Sequence, residues 1–305
     1  MPEESTTLRE RAMKGEGTIT PERQQREGDG TMTVAIPDPV EVLKRDLRAA
    51  ASTLTQDEAR YLVDAYYQIQ DYRIAAAGQG RAMDASGEPH EIHGWYFTQL
   101  ETIEKEVAKA LGKYADAHVA SQWAQTIVGI GPVLSAGLQA HIDIARAPTV
   151  GHIWRFAGLD PTTKWEKGQK RPWSADLKVL CWKLGESFVK VSGNERDVYG
   201  HVYAERKLLE IERNEAGLFA DQAARVLGEK RIGKDTEAFK AYSVGKLPPA
   251  HIHSRAKRYA VKLFLSHYQH VAWEAEYGTP PPKPYIIEHG GHTHFIAPPN
   301  WPMAV

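Results

Sequence analysis

The chain carries a single cysteine, Cys181, in 305 residues. One thiol closes no intramolecular disulfide and builds no cysteine-rich zinc site. Net charge is also scarce: 38 Lys and Arg stand against 39 Asp and Glu, a balance of -1 with histidine neutral. A chain so balanced does not attract nucleic acid through bulk charge, and any such binding has to come from local patches. No run of about 18 apolar residues exists, which excludes a membrane-spanning helix and a membrane partner of that kind. The first residues, with Glu3, Glu4, Arg9, Glu10 and Arg11, hold no apolar stretch of the signal-peptide type. A cytoplasmic location is therefore expected. No internal repeat and no strand-helix alternation is visible, so the expected fold is all-α.

What is present is a series of amphipathic segments separated by glycine and proline. Residues 1–35 are polar, mixed in charge and without periodicity, the composition of a disordered segment. A short helix is expected near Val40 to Ala51. Thr55 followed by Glu58 has the form of a capping box, opening a helix with Leu62, Ala65, Tyr66, Ile69 and Ala76 on one face. Gly78, Gly80, Gly87 and Pro89 mark its break. The next helix carries Tyr96, Leu100, Ile103, Val107, Leu111 and Tyr114 at steps of three and four. Together, residues 36–118 read as a long helical hairpin, suited to core packing or to homodimerisation. Residues 119–200 form a second region and 201–277 complete a bundle. In these, Val119 to Ile127, Ala175 to Val189 behind the cap Ser174, Arg196 to Leu227 as one helix or two, and Ala250 to Glu276 read as helices. Residues 278–305 form an arm rich in proline and histidine, which cannot be helical through its prolines. Tyr285, Ile286, Ile287 and Phe295 are its candidate anchors.

The segment with most chemical content runs Ile127-Val128-Gly129-Ile130-Gly131-Pro132-Val133-Leu134. One helix ends near Val128, the two glycines turn the chain, Ile130 plugs the core beneath, and Pro132 starts the next helix. Such a bend presents main-chain N–H groups at a helix N-terminus, where a phosphate oxygen is welcome. The alternative is a tight turn with no ligand. A dinucleotide fingerprint is excluded, because no strand precedes the glycines and the third glycine is misplaced. Gly129, Ile130, Gly131 and Val133 are the candidate backbone contacts.

Further on, Trp154-Arg155-Phe156-Ala157-Gly158-Leu159-Asp160-Pro161 leads into a basic stretch to Lys178. The glycine hairpin and this second motif, about 25 residues apart, resemble the C-terminal helix-hairpin-helix domain of the DEDD-type insertion-sequence transposases, the mobile-element recombinases guided by a bridge RNA. The resemblance covers roughly residues 120–195. It implies DNA binding in transposition or recombination. The family's N-terminal RuvC-like domain, with its four metal-binding carboxylates, has no counterpart in residues 1–120, and the serine nucleophile that follows the second motif is replaced by Thr162-Thr163-Lys164-Trp165. The expectation is a DNA-binding protein that is not catalytic alone. No cofactor is implied for this chain itself; magnesium would enter only with a RuvC-like partner that supplies a nuclease site. The alternatives are a recombinase subunit completed by that partner, and a helical structural protein.

Cations cluster after the second motif: Lys164, Lys167, Lys170, Arg171, Lys178 and Lys183, interleaved with Trp165, Trp173 and Trp182. Cations beside flat aromatics suit a nucleic-acid strand, DNA before RNA. The competing reading is a solvated loop whose tryptophans fill the core. Arg255, Arg258 and Lys262 form a second stripe, with no acid between Ala250 and Ala272. Phosphate contact and a plain solvated face are equal readings of it. Seven histidines lie near the end. His289, His292 and His294 are candidate zinc or nickel ligands, with His267 and His270 a turn apart on the preceding helix. A buried, hydrogen-bonded ring is the other reading of His267.

Overall fold

A computed structural model describes residues 42–87, 91–282 and 295–303. The calls on residues 1–35, Pro89, Tyr285 to Ile287, His289, His292 and His294 lie outside the described residues. Every regular element among the described residues is helical. In order they are α1 (Arg45–Ala50), α2 (Gln56–Ser86), α3 (Glu91–Asp116), α4 (Val119–Gln125), α5 (Pro132–His141), α6 (Val150–Phe156), α7 (Ala175–Val191), α8 (Tyr199–Glu215), α9 (Ala220–Glu229), α10 (Glu237–Ser243) and α11 (Pro249–Tyr277). Short 3-10 turns follow α1 (Ala51–Thr53) and α5 (Ile144–Arg146).

Helix α2 starts where its cap chemistry dictates. The Glu58 amide donates to Thr55 Oγ1 and the Thr55 amide donates to Glu58 Oε2, at 3.3 and 2.8 Å, the reciprocal capping box. It does not break at Gly78 or Gly80, as the glycine count suggests. Both sit in open space within a run of alanines and other strong helix formers, so each only weakens the helix. The chain turns at Gly87, whose φ of 76° is the left-handed region that other residues avoid. α2 and α3 then run antiparallel. Ala59 and Val63 pack on Leu111, Tyr114 and Ala115, while Tyr66, Gln70 and Arg73 converge on Glu104 one stretch along. Burial alone would raise the Glu104 carboxyl. The hydrogen bonds from Arg73 and Gln70 outweigh it and hold the group ionised, below the usual carboxylate range.

The main core belongs jointly to the middle and the end of the chain. Trp123 of α4, Phe188 of α7, Tyr199 of α8 and Phe264 of α11 form a continuous aromatic cluster with ring centroids 5.1–5.7 Å apart. α11, 29 residues long, lies against α4, α6, α7 and α8. Residues 119–200 and 201–277 therefore share this core, and residues 40–305 form one compact unit. The stretch Arg196 to Leu227 resolves as two helices, α8 and α9, parted at Gly217 with φ 75°. α6 and α10, seven residues each, were not anticipated; they are too short for a periodic signal.

The C-terminal arm is strapped to the bundle by side chains. Trp123 Nε1 donates to the Pro299 carbonyl at 2.7 Å, Trp301 Nε1 to Glu274 at 2.8 Å, and Asn300 Nδ2 to Thr126 Oγ1 at 3.1 Å. Phe295 stacks loosely on His270 and stays half exposed. Among the described residues no helix is long and apolar enough to cross a membrane.

Candidate nucleic-acid interface

The glycine bend joins α4 to α5. Gly129 has φ 93°, and a Cβ there would lie 3.1 Å from Ser187 and Val191 of α7. It has to be glycine on both counts. Gly131 is different. Its φ of -95° is ordinary extended backbone, and a Cβ would meet nothing within 4 Å. The expectation that both glycines adopt conformations closed to other residues is thus corrected for Gly131. Ile130 is buried, as a plug under the turn should be. Gly131 and Pro132 are exposed, and no side chain caps α5, so the amides of the half-buried Val133 and Leu134 have no partner among the described residues. The bend is pinned from behind by Ser187, whose hydroxyl donates to the Gly129 carbonyl. α5 in turn is stitched to α4 by Ser135 Oγ donating to the Ser121 carbonyl at 2.8 Å.

The basic loop lies elsewhere. Its start is set by α6, which ends at Gly158 with φ 64°. A Cβ at Gly158 would stand 2.9 Å from the Trp173 ring, so the glycine makes room for that tryptophan. Asp160 then accepts hydrogen bonds from the Thr162 amide and hydroxyl and from the Thr163 hydroxyl. The first of these bonds is the main cause of a carboxyl held below its ordinary range. The sequence offers no base for Thr163, but the fold does set one beside it: its hydroxyl donates to Asp160 Oδ2 at 3.2 Å, a carboxylate that also holds Thr162. Lys164, Lys167, Lys170 and Arg171 are all exposed, and none has a carboxylate within 4.0 Å among the described residues. Trp165, 38% exposed, folds back so that its Nε1 donates to the Gln169 carbonyl, with Arg171 5.4 Å above its ring and Trp173 6.5 Å away edge-on. Trp165 and Trp182, the latter 59% exposed, lie at the surface, whereas Trp173 is half-buried against Gly158.

Lys178 joins this group, 4.4 Å over the Trp173 ring. With Leu159, Trp182, Lys257 and Arg258 it lines a groove of about 330 Å³ between α7 and α11. Lys262 sits 4.0 Å over Trp154, whose Nε1 donates to the Lys262 carbonyl. Burial lowers both the Lys262 and Arg258 pKa. Lys183 points to the other side of α7, onto Tyr67 of α2 at 3.7 Å.

Arg255 is set apart. The sequence holds no acid near it on α11, but α8 brings one: Arg255 Nε donates to Glu210 at 2.7 Å, and its Nη1 to Gln222 at 3.0 Å. Glu210, 1% exposed, also takes Arg206. Arg255 thus serves a buried ion-pair cluster, while Arg258 and Lys262 face the groove and Trp154. His267 is buried between the Tyr199 hydroxyl, 2.7 Å from Nδ1, and the Ile296 carbonyl, 3.0 Å from Nε2. His270 pairs with Glu274 at 3.4 Å. Among the described residues no group of three or more His, Cys, Asp or Glu is placed to hold a metal.

The structure brings together the loop, Lys178, Arg258 and Lys262, and it separates them from the glycine bend. The loop feeds the first turn of α7 at Ser174, whereas the bend rests on Ser187 and Val191 in its last turns. At 1.5 Å per residue that is about 20 Å. The Trp154–Lys262 pair was not foreseen; its signal was the tryptophan opening the second motif. No protein-family model, curated protein or solved structure matches this chain.

Proposed function

We propose that this protein binds nucleic acid, DNA in the first instance, through the platform of residues 160–178. The observation that carries the reading is four unpaired surface cations, Lys164, Lys167, Lys170 and Arg171, in the same short loop as the exposed Trp165, with Arg171 5.4 Å over its ring. Uncompensated cations release counterions from a phosphate backbone, and an exposed indole stacks on a base without regard to sequence. The glycine bend adds free amides at an exposed helix N-terminus, a contact that positions without reading bases. Together with the resemblance to transposase C-terminal domains, this favours a role in recognising DNA during mobile-element recombination, with strand cleavage left to a partner.

The test is the salt dependence of binding to a fluorescent oligonucleotide. Five phosphate contacts, counting Lys178, give a log–log slope of about -4.5 on duplex and about -3.5 on a single strand. Replacing Lys164, Lys167, Lys170 and Arg171 by alanine should reduce the slope by about 3.6 on duplex and about 2.8 on a single strand, and Trp165→Ala should weaken single-strand binding about tenfold or more. These residues are exposed, so both variants should stay folded. Unchanged binding in the quadruple variant sinks the reading.

A further inference from the structure

A second concave site lies on the side of α6 away from Trp154 and takes only Pro172 from the loop. The beginning of α2, the end of α5, the 3-10 turn Ile144–Arg146 and α6 enclose a cavity of about 340 Å³. Three guanidinium groups line it, Arg60, Arg146 and Arg155, with the imidazoles of His141 and His152 between them. The carboxylate in the lining is Asp143, and its Oδ1 is occupied by the Ala145 amide at 3.1 Å. Arg146 and Arg155 have no carboxylate within 4.0 Å among the described residues. Arg60 pairs with Asp57 at 2.7 Å through Nη2, but its Nε is buried and has no hydrogen-bond partner. His152 is oriented by Thr149, whose Oγ1 lies 3.0 Å from Nδ1. The walls are apolar: Ile142, Ile153, Pro172 and the half-exposed ring of Phe156.

Asp57, Asp143 and, at longer range from Arg155, Asp160 supply counter-charge, but the guanidinium donors of Arg146 and Arg155 and the buried Arg60 Nε meet no carboxylate oxygen, and these unused donors are the demand for an anion. Three forked donors and two imidazoles suit an anion with several terminal oxygens, as a phosphomonoester has, better than a single carboxylate. The volume exceeds what a bare phosphate fills, and Phe156 offers a flat apolar face to an organic group. The geometry points to a binding site for the terminal phosphate of a nucleotide, carried either by a free mononucleotide or by the phosphorylated end of a strand. Arg146 and Arg155 grip the phosphate, Arg60 supplies the buried donor, and the base lies toward Phe156 and Pro172. This site shares no cation with the platform of residues 160–178, so each can fail without the other.

Calorimetry on the full chain tests it with four probes: adenosine 5′-monophosphate, adenosine, and one DNA decamer with a 5′-phosphate or a 5′-hydroxyl. The monophosphate should bind at least tenfold more tightly than the nucleoside, or the phosphorylated decamer tenfold more tightly than its twin. The first result assigns a free nucleotide and the second a strand end. Arg146→Ala combined with Arg155→Ala should abolish the preference while leaving the circular dichroism melt unchanged, since both residues are exposed. The quadruple loop variant should keep the preference even as its overall affinity for DNA falls. Equal binding of phosphorylated and unphosphorylated probes, or a preference that survives loss of both arginines, overturns the assignment.

Discussion

His267 is a built-in acid sensor of stability. Its ring is 3% exposed and sits between one group that can donate, the Tyr199 hydroxyl, and one that can only accept, the Ile296 carbonyl. The network therefore requires the neutral tautomer with the proton on Nε2 and Nδ1 accepting from Tyr199. Protonation would bury a positive charge in an apolar core and oblige the Tyr199 hydroxyl to turn round and accept from Nδ1. Burial is the main cause that brings the pKa from 6.5 to about 4; the Ile296 carbonyl opposes it, and His270 adds to it. The unfolded chain thus takes up a proton near pH 6.5 that the folded chain refuses until pH 4. Stability falls as pH drops through that interval. Linkage puts the loss at about 1.4 kcal/mol by pH 5.5 and about 2.6 kcal/mol by pH 4.5.

Urea unfolding followed by circular dichroism at pH 7.5, 5.5 and 4.5 measures this directly. His251 and His253, also lowered chiefly by burial and hydrogen-bonded to Tyr242 and Tyr203, push the wild type the same way. The comparison with His267→Gln isolates the one ring, because glutamine can still accept from Tyr199 and donate to Ile296 but does not titrate. The wild type should lose about 1.4 kcal/mol more than the variant between pH 7.5 and 5.5. Equal losses would refute the argument. The ionised carboxylates Glu104 and Glu210 do not obscure it: their pKa values are lowered, so their stabilisation fades only below about pH 4.5.

Three further outcomes follow from the packing. Glu210→Gln removes the charge on which Arg206 and Arg255 converge, and should cost about 3 kcal/mol in urea unfolding, the effect of orphaning a buried ion-pair partner. A Cβ at Gly200 would lie 2.6 Å from the Phe188 carbonyl and 2.7 Å from the Ser192 Cα, both backbone, so Gly200→Ala should cost about 3 kcal/mol or more and lower the thermal midpoint. Burial pushes the Cys181 thiol up to about 12, so it should resist a disulfide reagent in the native state at pH 8 and react at once in urea.

Much of the helical order was legible because it rests on local rules. The Thr55–Glu58 box, the Ser174 cap and the period of α3 and α11 are all short-range signals, and each places an element within a few residues. Partners drawn from distant sequence were not legible. Arg255 reads as a free cation on α11 until α8 delivers Glu210, 45 residues away in sequence. Gly131 reads like Gly129, but their φ angles, -95° and 93°, lie on opposite sides of the plot. The tryptophans of the loop admitted both a core and a surface reading, and exposure decides for the surface at Trp165 and Trp182. Arg60, Arg146 and Arg155 are unremarkable in sequence and meet only because α2, the 3-10 turn and α6 close on one cavity.

The separation of the two candidate contacts constrains the shape of the ligand. The points where the loop and the glycine bend meet α7, Ser174 and Ser187, stand about 20 Å apart along its axis. No single phosphate or nucleotide reaches both. A strand rising about 3.4 Å per residue covers that distance in about six nucleotides, so a polymer is the kind of anion that can engage the bend and the platform together. A compact ligand would be confined to one end, and the open arginine-lined cavity beside α6 is better suited to it than either surface.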